Sequence, residues 1–131
     1  MSHDYHPSWD YQESRLPALI PLKKSLREEL SLFCQQQNLP FKAISVYLVK
    51  QTGYLGKYVD GTHSQPVILL DAPALYANCT PGQLEEEVRL TGFHELAHAI
   101  QEEFGLEYSE DEAEQFAKDY VLKNQVNKFW Q

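Results

Sequence analysis

The segment TPGQLEEEVRLTGFHELAHAIQEEFG, Thr80–Gly105, decides how the chain folds. Thr80 suits a helix N-cap, Pro81 the first helical position, and Gln83 the third, from which its side chain can reach back to the cap. Taken from Phe93 at about 100° per residue, Leu96, Ala97, Ile100 and Phe104 fall within about 60° of one direction, an apolar stripe. The segment therefore predicts one long helix to about Phe104, with Gly105 as its C-terminal cap. The small residues Gly92, Ala97 and Ala99 would let another backbone pass closely.

Downstream, Ser109 followed by Glu112 signals a final helix reaching Val126, with a buried stripe of Ala113, Phe116, Ala117, Tyr120 and Asn124. Upstream, Ala43–Val49, Tyr54–Val59 and Pro66–Leu70 are short β-branched or apolar runs, separated by Gln51-Thr52-Gly53 and Asp60-Gly61. The third run ends at Asp71-Ala72-Pro73. Tight loops predict a three-stranded, largely antiparallel sheet. Before the strands, Leu22, Leu26, Leu30 and Phe33 mark an amphipathic helix over Leu22–Gln37, closed by Pro40. Residues 1–21, with Pro7, Pro17 and Pro21, read as an N-terminal arm. The expected fold class is α+β: N-terminal helix, sheet, long helix and C-terminal helix.

The 131 residues, 43% hydrophobic and 23% charged, suit one domain over residues 22–131 after the arm. Nineteen acids against eleven bases leave a net charge of −8. That field repels phosphate backbones, so no nucleic-acid partner is expected; a cationic peptide or a metal ion fits better. No apolar run nears the roughly 20 residues that span a bilayer. Met1–His6 lacks the basic and apolar regions of a signal peptide. Cys34 and Cys79 lack C-x-x-C spacing and suit reduced thiols, so a cytoplasmic location is expected. The sequence sets no oligomeric state.

His94-Glu95-Leu96-Ala97-His98 matches H-E-x-x-H inside the long helix. Residues four apart lie about 40° apart, so both imidazoles project from one side and can grip one metal ion. Glu95 lies about 100° round from His94, placed to take a proton from water without ligating the metal. Zinc needs a third protein ligand and keeps a fourth position open. The third histidine of the longer H-E-x-x-H-x-x-G-x-x-H pattern is replaced by Phe104, which leaves the downstream acids. Glu110 lies at the edge of the last helix's buried stripe and Glu114 one turn on, whereas Asp111 and Glu112 point away. Glu110 is thus the expected third ligand with Glu114 orienting a histidine, or the reverse. Tyr108, His63 and Tyr120 are the candidate donors to a developing oxyanion.

HELAHAI followed by EDEAEQFA resembles the H-E-[LI]-[GA]-H … E-x-x-A-[ND]-x-F-A signature of the gluzincin metallopeptidases, in particular the ImmA/IrrE-type peptidases and the minigluzincins. The resemblance covers about Tyr54 to Leu122. It implies a zincin-like hydrolase with one Zn2+ on His94, His98 and Glu110 and with Glu95 as general base. Glu114 stands where that family carries Asn or Asp, and Glu110 follows only twelve positions after His98. The substrate implied is a peptide or protein, extended along the Tyr54–Val59 or Val67–Leu70 strand. The competing expectations are a non-catalytic zinc-stabilised interaction module, closed by Cys79 or His63, and a latent peptidase whose arm fills the cleft with His3, His6 or Trp9. The plainest alternative is an α+β domain without metal.

Overall fold

A computed structural model describes residues 11–50, 53–59 and 65–131, which form an α+β domain of four helices and a three-stranded sheet. The arm residues His3, His6 and Trp9, and His63, lie outside the described residues. Helix α1 spans Ile20–Gln36, with Pro21 in its first turn and Leu26, Leu30, Phe33 and Cys34 buried. It stops before Pro40, because Asn38 turns left-handed at φ 55°. Residues just before α1 follow the sheet: Glu13 bridges antiparallel to Val49, and the Ser14 amide donates to the Leu48 carbonyl at 2.9 Å.

Strands β1 (Ser45–Val49), β2 (Gly56–Val59) and β3 (Val67–Asp71) lie in the order β1-β3-β2. β2 runs antiparallel to β3, but β1 runs parallel to it, Ser45 facing Val67 and Val49 facing Asp71. The sheet is mixed, not largely antiparallel. Short loops argue for pairing of chain neighbours; burial overrides them. Every residue of β3 is buried, and the central position covers its apolar run on both faces. A short helix α2, Ala72–Asn78, absent from the expected order of elements, follows at once where the third run ends. Asp71 caps it, accepting from the Ala74 amide at 3.1 Å, and Pro73 sits in its first turn.

The expected capping box between Thr80 and Gln83 is present around one 3₁₀ turn, Pro81–Gln83, which opens helix α3, Leu84–Glu103. Gly105, left-handed at φ 64°, ends α3, and the Leu106 amide closes back on the Gln101 carbonyl at 2.8 Å. Phe104, assigned to the buried stripe from its phase, belongs to this turn and is exposed. Helix α4, Glu110–Lys123, is capped by Ser109, whose hydroxyl accepts from the Glu112 amide. It ends short of Val126 because Asn124 is left-handed; Asn124 is exposed, outside the stripe.

Between the helices lies an aromatic core. Phe33 meets Phe93 edge-on at 5.5 Å, and Tyr120 stacks on Phe93 at 4.4 Å. Gly92 lets α1 close on α3: a Cβ there would stand 2.6 Å from both methyl carbons of Leu26. No helix among the described residues is long and apolar enough to cross a membrane.

Candidate metal centre

The second half of α3 is buried almost all round. Glu95, His98 and Gln101 are buried there along with the apolar stripe. One helical turn brings the His94 and His98 rings to 5.0 Å, with their Nε2 atoms 3.3 Å apart. The turn after Gly105 then delivers Glu110, the first residue of α4, onto both. Its Oε2 lies 3.0 Å from His94 Nε2 and its Oε1 2.8 Å from His98 Nε2. The ligand atoms of the three side chains lie within 4.8 Å of one another, the one such cluster among the described residues. The twelve positions from His98 to Glu110 are enough for this convergence.

Hydrogen positions decide what the cluster can hold. Gln101 Nε2 donates to the Ser109 carbonyl at 2.9 Å and to Glu112 Oε1 at 3.2 Å, while the Ser109 amide approaches Gln101 Oε1 at 3.4 Å. A flipped amide would set its oxygen against two acceptors, so the network fixes Oε1 toward His98. His98 Nδ1, 2.9 Å from that oxygen, is then the donor. A neutral imidazole has one proton, so His98 Nε2 presents a lone pair to the Glu110 carboxylate. With neutral imidazoles acceptor faces acceptor, unless a proton or a metal ion sits between them. Two imidazoles and a carboxylate with a corner left open suit a divalent zinc-like ion.

Glu95 is buried beside this cluster. Burial pushes its carboxyl above the ordinary value, a shift opposed by the neighbouring imidazoles and by the Tyr58 backbone N–H that it accepts from. β2 comes this close because of Gly56, where a Cβ would stand 2.4 Å from Thr91 Cγ2 and 3.4 Å from Glu95 Cγ. Tyr108 covers the other side. Its ring stacks on His98 at 4.4 Å and 7°, and its hydroxyl donates to Glu110 Oε1. That bond pushes the phenol up to about 12 and holds the Glu110 carboxyl below its usual range. A cleft of about 970 Å³ opens between β2, α3 and α4, and Tyr58, Glu95, His94, Tyr108 and Glu110 line it.

The site thus assembles His94, Glu95, His98, Glu110 and Tyr108 from the residues singled out in the sequence. Glu114 lines the same cleft, exposed, with its carboxylate paired to Lys118 at 2.8 Å one turn further along the same face. Others fall elsewhere. Tyr120 lies ten residues past Glu110, about 15 Å along the helix axis, and its ring belongs to the core. Cys79 is outside the cluster, and His63 outside the described residues. The group that engages His98 Nδ1 is Gln101, with Glu112, which helix phase sets toward solvent, as its acceptor. The signal for Gln101 was its place three residues after His98, on the same helix face. Compared with known proteins, the chain matches no family model, no curated protein and no solved structure.

Proposed function

We propose that this chain is a zinc-dependent metallopeptidase of the gluzincin type, holding one Zn2+ through His94, His98 and Glu110 and hydrolysing peptide bonds with Glu95 as general base. One observation carries the proposal: the buried Glu95 carboxyl borders a cluster where ligand atoms of His94, His98 and Glu110 converge within 4.8 Å, on the wall of an open cleft. Bound zinc would supply Lewis-acid polarisation of a carbonyl and acidify water toward a pKa of about 7. Glu95 takes the proton of the attacking water and returns it to the leaving amine. The peptide lies along β2; β3 is flanked on both sides by other strands and does not border the cleft edge. Tyr108 stands at the cleft as the remaining phenolic donor. The acidic net charge favours peptides and proteins over nucleic acids, in a cytoplasmic setting.

Zinc analysis of protein purified without added metal should find about one ion per chain, as three converging ligands require. Glu95→Gln should keep that zinc and lose about 10²–10⁴-fold in peptide cleavage. Unfolding would not explain the loss. A carboxyl raised in the folded state stabilises below its ordinary value and loses that contribution as pH rises through the folded one, so a neutral amide is no burden at pH 7. Equal cleavage by the variant would remove Glu95 from the reaction, and protein without stoichiometric zinc would remove the metal.

A further inference from the structure

We propose that Gln101 is the positioning residue of this centre: it selects the His98 tautomer that turns a lone pair toward the metal and locks that choice to the start of α4. The metal itself rests on the function proposed above; the tautomer does not.

Gln101 is 2% exposed, so its amide cannot trade these partners for water. Each polar atom is committed: Oε1 to His98 Nδ1, and Nε2 to the Ser109 carbonyl and the Glu112 carboxylate. Ser109 is the cap of α4 and precedes Glu110 directly. One side chain therefore reaches the second histidine of the cluster and the residue that delivers its carboxylate. Glu112 adds a charged acceptor, which strengthens the amide's orientation. Without the Gln101 oxygen, neutral His98 would gain more from placing its proton on Nε2, where Glu110 Oε1 lies at 2.8 Å. That proton would occupy the position a cation needs. The amide thus keeps the metal-facing nitrogen bare before any metal arrives.

Two measurements test this. Long-range ¹H–¹⁵N NMR of the metal-free wild-type protein at about pH 9, above the ordinary imidazole range, should show His98 as the Nδ1–H tautomer. Finding the Nε2–H form would overturn the proposal without any substitution. Gln101→Met, similar in shape and lacking both polar ends, should shift His98 toward the Nε2–H form, weaken zinc binding about 10–100-fold and alter the absorption spectrum of the cobalt-substituted protein. A folded Gln101→Met protein with the wild-type tautomer and unchanged zinc affinity would also overturn it. If the wild-type protein binds neither zinc nor cobalt, the metallopeptidase proposal fails, and the tautomer measurement still decides the role of Gln101.

Discussion

Helix α3 is tied to its neighbours by two carboxylate bridges of opposite character. Toward α1, Glu29 accepts Arg89 Nε at 2.9 Å and Nη2 at 2.7 Å, two donors meeting two acceptors. That bond raises the Arg89 guanidinium further above its already high range. Toward α4, Glu110 meets His98 and His94 at nearly the same distances, yet Gln101 holds the His98 proton on the far nitrogen. The first bridge is complete as it stands; the second, with neutral imidazoles, leaves an acceptor facing an acceptor until a proton or a metal ion enters. Short nitrogen–oxygen distances alone do not separate a structural tie from a binding site. The inventory of hydrogens does.

The largest effect that can break this contrast is a zinc dependence of stability confined to the second bridge. Free zinc at about a thousand times its dissociation constant should stabilise the wild-type protein by about 4 kcal/mol in denaturant titrations, and His98→Ala should abolish that gain. A wild-type protein indifferent to zinc would make the two bridges alike. Arg89→Ala should cost about 1 kcal/mol, with or without zinc, and salt should reduce the cost. If zinc changed it, the two ties would be coupled through α3. The smallest effect is expected at the exposed Glu114–Lys118 pair, where Glu114→Ala should move stability by less than about 0.5 kcal/mol and leave zinc affinity unchanged. A marked loss of zinc binding there would restore Glu114 to the site.

Much of this arrangement was legible because helices have a fixed period. The spacing of His94 and His98 set them on one side of α3, and the phase of α4 separated Glu110 from Asp111. Periodicity failed where the chain turns or where long-range burial decides. Phe104 and Asn124 carry the right phase but fall on capping residues, one before a left-handed glycine and the other left-handed itself. The parallel partner of β3 was hidden because pairing follows burial of the most apolar strand more than loop length. Tyr120 lies away from the site for a different reason, and Glu114, though on the cleft wall, turns to Lys118. A side chain's chemistry names what it can do, but its nearest neighbours, here an aromatic core and a lysine, decide what it does. Gln101 went unweighed because an amide within a run of charged residues looks like surface, and only its burial marks it.

Gly56 has a consequence for how recognition and reaction are joined. A single hydrogen in place of a side chain lets β2 close on α3, where a Cβ would stand 2.4 Å from Thr91 Cγ2 and 3.4 Å from Glu95 Cγ. In the proposed peptidase, a peptide laid against that strand would be gauged from the same surface that carries the general base, with no spacer between. On that reading any substituent at this position would act as a shim, pushing the strand off α3 and setting a scissile bond away from the base.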